Sequence, residues 1–261
     1  MKLSVICSVL NSHELVRRQL LHYESMNLPD DVEILYMDDS STPPLSFPDC
    51  KLKNLRIVPV NNPTPREDGL FYDGRVSIAR NMGARMARGE YLLMCDVDYI
   101  IRKADIEAGR NCKYDKQCFR RQFGALLEDG TPTQDIDILR KYGLLESRIR
   151  ERGVDMPPHP NSFIMRKSTY WDIGGYRENL QGVYPSRGDT NFKRDWARHF
   201  EAGKATVSPN RTTLLMYPNG QFCGDVDFNP FGLFHVLSRK TERNGCYQKM
   251  KTEAVWHLQQ Q

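Results

Sequence analysis

No stretch of this chain approaches the roughly 18 consecutive apolar residues that a membrane-spanning helix needs. The opening residues, MKLSVICSVLNSHE, lack the basic cluster and long apolar core of a signal peptide, and they read as a first strand. An excess of one charge is also missing. The 37 Lys and Arg against 33 Asp and Glu leave a net charge of +4, too little to imply nucleic-acid binding. No Pro-, Ser- or Gly-rich tract divides the sequence and no internal repeat appears, so residues 1–261 are expected to form a single domain. The seven cysteines show no metal-ligand spacing. Their odd number, without a leader, predicts free thiols in a reducing cytoplasm. A glycine-rich phosphate loop is missing after the first strand, where residues 8–12 read SVLNS.

What is present concentrates in residues 79–98, ARNMGARMARGEYLLMCDVD. Ile78, Met82 and Met86 recur at i, i+4 and i+8 beside Ala79 and Gly83, which predicts a helix pressing one small-residue face on a sheet. Gly89 stands where a helix C-terminus takes a left-handed residue. Residues 91–95 then form an apolar run of strand length. Asp96 and Asp98 follow at the strand's carboxyl end, on one side because strand side chains alternate. A carboxylate pair there packs poorly but holds a divalent cation against phosphate well.

A second acidic pair repeats the arrangement upstream. Residues 32–37 (VEILYM) read as a strand that ends in Asp38-Asp39-Ser40-Ser41. Two strands ending in acids predict one electronegative crevice at the carboxyl edge of a sheet. Between the first two strands, Asn11 is expected to cap a helix with Glu14 in a capping box, and Val16, Leu20 and Tyr23 mark its buried face. Residues 55–60 give a third strand, and 61–74 a long turn-rich loop. Further on, 135–152 is amphipathic and closed by Gly153, 162–165 is a strand, and 195–201 is helical.

In this order the residues resemble the family 2 glycosyltransferases of the GT-A fold. The likeness runs through LSVICSVLN (3–11), the Asp-Asp-Ser-Ser segment, the Ala-Arg-Asn-x-Gly helix, and Gly-Glu-Tyr leading to Asp-x-Asp. It resumes in residues 161–203, where NSFIMRKSTYWDIGGYREN precedes GDTNFKRDWARHFEAG, similar to the family's acceptor-side signature. The resemblance implies an α/β fold with a mixed, mostly parallel sheet flanked by helices. It divides the domain into a nucleotide-sugar half (1–99) and an acceptor half with a C-terminal lid segment (100–261). It also implies an inverting transfer of sugar from a nucleotide-diphosphate sugar, a UDP-sugar first among them, to a hydroxyl of a glycan, a lipid-linked glycan or another acceptor.

By the same resemblance Asp98 binds Mn²⁺ or Mg²⁺, since all-oxygen ligation suits either ion. Asp96 then contacts the ribose or a metal-bound water. Asp39 meets the nucleobase, with Asp38 in support or serving only as a turn acid. Ser8 and Asn11 line the nucleotide pocket. Arg80 either reaches the diphosphate or forms a surface salt bridge. Gly174 and Gly175 bring backbone close to the donor sugar. Asp189 is the base that deprotonates the acceptor, or else a cap on the helix after it.

One departure stands out: Gly188 occupies the place of the Glu in the family's Glu-Asp pair. That leaves the acceptor open. His235, in Phe234-His235-Val236, is similar to a late histidine that some GT-A enzymes add to the metal shell, with a packed histidine as the alternative. The basic run at 110–121 (RNCKYDKQCFRR) is either a solvated face or a contact for an anionic acceptor or membrane surface. The expected location is therefore the cytoplasm, peripheral to a membrane in the second case. Two other functions fit parts of the pattern. A sugar-phosphate nucleotidyltransferase would also pair such a sheet with acids but lacks its phosphate loop here, and an inactive nucleotide-sugar-binding protein would not need Asp39, Asp98 and Asp189 together.

Overall fold

A computed structural model of the chain describes residues 1–60, 73–142, 144, 146–156, 162–178 and 187–218. The first part alternates strand and helix: β1 (Leu3–Val9), α1 (His13–Ser25), β2 (Val32–Asp38), β3 (Leu55–Pro59), α2 (Asp73–Met86) and β4 (Tyr91–Asp96). Short elements follow: β5 (Tyr99–Ile100), α3 (Lys103–Arg110), β6 (Lys116–Cys118), β7 (Arg120–Phe123), β8 (Ala125–Leu126), β9 (Pro132–Thr133), α4 (Ile136–Lys141), α5 (Glu146–Arg152) and β10 (Asp155–Met156). The described part closes with β11 (Phe163–Arg166), α6 (Lys167–Asp172), α7 (Arg187–Glu201) and β12 (Thr213–Met216).

A six-stranded sheet in the order β3-β2-β1-β4-β11-β6 forms the centre. Its first four strands are parallel, and β11 runs antiparallel to β4 and to β6. The chain is thus α/β, with a mixed, mostly parallel sheet between helices. The alternation of side chains feeds two cores. Val5, Cys7, Ile34, Tyr36, Leu93 and Cys95 meet Leu15, Val16, Leu20 and Tyr23 of α1 on one face. Ile6, Leu35, Met37, Leu92 and Met94 meet Ala79 and Ala84 of α2 with Tyr170, Phe192 and Trp196 on the other. Each fully buried Leu or Ile of this pattern contributes about 2 kcal/mol. Strands buried on both faces read as continuous apolar runs, which is why VEILYM and YLLMC are visible in the sequence. Among the described residues no helix is long and apolar enough to cross a membrane.

The close seat of α2 comes from its small residues. A Cβ on Gly83 would lie 2.5 Å from Ile6 Cγ2, so a larger residue there would push the helix off the sheet. Ile78, Met82 and Met86 are only partly buried around this contact. Gly89 differs from expectation. Its φ is not left-handed; a Cβ on it would stand 2.6 Å from Ser4 N and 2.7 Å from Leu3 C, so glycine is required by close backbone approach.

Other local expectations are corrected. The N-cap of α1 is Ser12, not Asn11, and no capping box forms there. Glu14 instead accepts from Arg17 and Arg18, at 2.7 Å each. The amphipathic stretch 135–152 is two helices, with Asp135 capping α4 through its side chain. Gly153 does close it, at φ +55. Helix α7 begins eight residues earlier than the periodicity suggests, at Arg187 instead of 195. The basic run is not one surface: Arg110 pairs with Asp31 at 2.8 Å, while Lys116 and Arg121 are buried.

Lys116 is the unusual member of that run. It stands on the edge strand β6, 6% exposed, with its Nζ 4.6 Å from the Trp196 ring and 4.9 Å from the Phe163 ring. The rings attract a cation, but removal from water costs more. Burial therefore pushes the ammonium down to about 8, with nearby Lys193 adding to the fall and Cys118 opposing it. The unfolded chain, titrating at about 10.4, binds more protons above pH 8, so this residue makes stability rise with pH there. Urea denaturation of the parent protein and Lys116→Met at pH 7 and pH 9.5 checks this. The parent should gain about 1–2 kcal/mol on the variant over that interval. Parallel pH dependences would contradict the assignment.

Candidate active site

Parallel register brings the acidic strand ends together. Asp96 at the end of β4 lies beside Ser8 of β1, and Asp38 at the end of β2 lies beside Val9. The carboxyl edge of the sheet therefore carries both acidic pairs, as open α/β sheets present their ligand sites. Asp38 is buried, and both its oxygens serve the loop after β2: Ser41 N and Leu45 N each donate to it at 2.9 Å. Asp39 is buried beside it, with its backbone N–H donating to Val9 O at 2.8 Å. Asn11, at φ 49, stitches the loops after β1 and β2 together. Its N–H donates to Ser41 Oγ at 2.9 Å and its Oδ1 accepts from Thr42 N at 2.8 Å. The Ser8 hydroxyl is buried with no hydrogen-bond partner among the described residues.

The centre of the edge is Arg80. Its side chain is 2% exposed, and its guanidinium donates to Asp96 and, at 3.1 Å, to Asp189 Oδ1. Arg80 is thus neither on the surface nor isolated: it joins the end of β4 to the first turn of α7. Burial opposes its charge, but Tyr176, Asp96 and Asp189 together hold the guanidinium well above its ordinary pKa. Asp96 and Asp189 remain about a third exposed, at 34% each, so both carboxylates also face solvent. The group of three carries a net charge of −1.

Asp98 stands two residues past Asp96, in the turn between β4 and β5. Its carbonyl accepts from Tyr217 N at 2.9 Å, just beyond β12. Both Asp96 and Asp98 act on the same neighbours. The Cys7 thiol is pushed up by burial first, then by Cys95 and by these two carboxylates. The Tyr99 phenol is pushed up by burial, then by Asp98 and Asp96. The two acids therefore share one end of β1 and β4. Among the described residues no group of three or more His, Cys, Asp or Glu is placed to hold a metal.

Gly175 is buried and takes φ +63, where a Cβ would meet Asn81 Oδ1 at 2.7 Å. Its close approach is thus to α2. Asn81 fills that space with four bonds. Its Oδ1 accepts from Tyr170 OH at 2.5 Å and Tyr176 N at 2.9 Å, and its Nδ2 donates to Tyr176 O and Glu178 Oε1 at 2.7 Å each. Sequence reasoning did not single out Asn81. A polar pair, Arg80-Asn81, inside a small-residue helix face was the available signal. His235 lies outside the described residues.

No protein-family model matches the chain. No curated protein matches it either. Among solved structures, Staphylococcus aureus TarS 1–349 is similar at 19% identity and TM-score 0.48, over 83% of this chain and 60% of that one. TarS 1–349 in complex with UDP-GlcNAc gives 16% and 0.44, over 82% and 58%. Glucosyl-3-phosphoglycerate synthase from Mycobacterium tuberculosis, with Mn²⁺, UDP and glucosyl-3-phosphoglycerate, gives 13% and 0.43, over 84% and 72%. The chain spans less than two thirds of those TarS chains. At such identities and TM-scores no activity passes from these proteins to this one.

The bridge has a measurable signature. With either carboxylate neutralised, Arg80 keeps one anion; with both neutralised it is a buried cation without any. Asp96→Asn and Asp189→Asn should therefore cost more together than separately, by about 1–3 kcal/mol beyond the sum in urea denaturation. Losses that add to within about 0.5 kcal/mol would show that Arg80 does not depend on the pair.

Proposed function

We propose that this chain is a GT-A-type glycosyltransferase of family 2 character, moving a sugar from a nucleotide-diphosphate donor to an acceptor hydroxyl with inversion. The observation that carries the reading is the Arg80 bridge. It sets a carboxylate of the Asp-x-Asp strand end beside a carboxylate on the first turn of α7, both reachable from solvent. A displacement at a sugar carbon can use that pairing, with one carboxylate helping to hold a cation at the leaving diphosphate and the other at the incoming hydroxyl.

In this reading the nucleotide lies along the carboxyl edge. Asp39 contacts the base, and Ser8, whose buried hydroxyl has no hydrogen-bond partner among the described residues, lines the nucleotide pocket. Asp38 and Asn11 act through the loop they hold. Asp189 takes the proton from the acceptor hydroxyl as its oxygen bonds to the anomeric carbon. The bond to the diphosphate oxygen breaks on the opposite side, and the nucleotide diphosphate departs. Arg80 keeps Asp189 and Asp96 at a fixed separation and, being held charged, offsets part of the negative charge around the leaving group.

The site suits a divalent cation. Asp98 and Asp96 share a strand end of net negative charge, and ions such as Mg²⁺ are commonly held by one or two carboxylates, with substrate phosphates and water completing the shell. Two protein acids are then enough. Asp98 would hold Mn²⁺ or Mg²⁺, Asp96 would support it while bonded to Arg80, and His235 would be a further ligand. A bound cation would supply charge neutralisation on the diphosphate. The acceptor is a hydroxyl compound whose class the Gly188 departure leaves open.

A thermal-shift panel of UDP-, GDP-, dTDP- and CMP-sugars with Mn²⁺ tests the donor. One nucleotide should stabilise the protein by about 2.7 kcal/mol at 100 times its Kd. Asp98→Asn or EDTA should abolish the metal-dependent part of that shift. Asp189→Asn should keep the shift and lose transfer by about 10²-fold or more in kcat. No shift with any nucleotide would remove the donor assignment, and near-normal transfer by Asp189→Asn would return that residue to a helix-cap role.

A further inference from the structure

Tyr176 lies against both helices that carry the Arg80–Asp189 pair, α2 and α7. Its ring lies beneath the Arg80 guanidinium, 4.9 Å from Cζ to centroid. It also stacks on Phe192 at 4.3 Å with the planes 8° apart. The guanidinium and Phe192 cannot share one face, so the Tyr176 ring lies between them. Phe192 stacks in turn on Phe163 of β11, at 5.2 Å and 8°, and Phe163 is the register partner of Met94 on β4. Phe192 comes three residues after Asp189, on the same face of α7.

The backbone of Tyr176 is held as firmly as its ring. Asn81, next to Arg80 on α2, grips both its N–H and its carbonyl. Gly175 lets that grip close, since a side chain there would strike the Asn81 amide. Consecutive residues of α2 thus hold the two ends of one residue, Arg80 the ring and Asn81 the main chain. Burial pushes the phenol up, with Arg80 opposing and Asp189 and Asp96 adding, so the ring stays neutral and electron-rich. The hydroxyl is buried near the Arg80 side chain, which acts on it and lowers the phenol against burial, although no hydrogen bond of good geometry forms there among the described residues.

We propose that Tyr176 is a positioning residue for the transfer reaction. Its ring face holds the Arg80 guanidinium in the orientation that reaches Asp96 and Asp189 at once, and its stack on Phe192 fixes the base-bearing turn of α7 against the strand end that carries Asp96. This rests on the reading of Asp189 as the base. A misplacement of the base by about 1 Å costs on the order of 10²-fold in rate.

The test uses full-length protein carrying Tyr176→Phe, Tyr176→Leu, and a series in which position 176 is phenylalanine bearing one, two and five fluorines. Fluorination withdraws the ring's negative face while changing its shape little. Tyr176→Phe should keep kcat within about 3-fold, and Tyr176→Leu should lose about 10²-fold with nucleotide Kd nearly unchanged. Across the fluorinated series kcat should fall stepwise, by about 10-fold at five fluorines. Leu139→Ala, a core deletion on the far face of the sheet, controls for general loosening.

A pentafluoro variant as active as Tyr176→Phe would overturn the proposal, because mere packing would be preserved. The side-chain NMR signal of Arg80 Nε–H decides the matter apart from activity. It should stay sharp in the parent and Tyr176→Phe and broaden in the pentafluoro variant. An unchanged signal contradicts the proposal even if transfer is found. A changed signal in a protein without any transfer upholds the positioning and refutes only the functional reading.

Discussion

The guanidinium of Arg80 is taken out of water by helix and sheet, and the rest of the carboxyl edge is arranged around keeping it there. A buried cation costs several kcal/mol unless anions and oriented groups replace its hydration. Here the replacements come from three directions: Asp96 from the end of β4, Asp189 from the first turn of α7, and the Tyr176 ring from the corner after α6. The end of β4 lies far in sequence from the other two, and the Tyr176 corner comes just before α7. The cation therefore acts as a spacer, and a change in any partner alters the relation between strand end and helix.

That constraint explains features that look unrelated in the sequence. Gly83 lets α2 lie close enough on Ile6 to aim Arg80 at the strand ends. Gly175 takes a left-handed backbone so that Asn81 can hold the corner that presents Tyr176. Phe192 and Phe163 carry the ring stack from α7 to the sheet. The Asp38–Asn11 stitching does a similar task at the other end of the crevice, where two loops rather than a helix must be fixed.

The strands and helices of the first hundred residues were legible because both faces of the sheet are covered. Strands such as β2 and β4 then read as unbroken apolar runs, and α2 as a small-residue face. Of the region from β5 to β10 only the helical stretch 135–152 and its closing Gly153 were legible. Its strands are two to four residues long and carry Lys116, Arg120 and Arg121, so no alternation develops and burial is decided by distant partners such as the aromatic rings of α7. The acids of the edge were visible as types and positions. That Arg80 joins two of them, and that Asn81 and Tyr176 hold Arg80 in place, depends on contacts 16 to 109 residues apart, which no local pattern encodes.

In the proposed reading the strand ends and the first turn of α7 form one nucleotide-sugar site. A crystal grown with Mn²⁺ and UDP, measured at the manganese absorption edge, tests it most directly. An anomalous peak is expected against the Asp98 carboxylate, with the diphosphate beside the Arg80–Asp96 pair and Asp189 facing the place of the sugar. Manganese and nucleotide bound away from the carboxyl edge, or a nucleotide at that edge with Asp189 turned from it, would contradict the account.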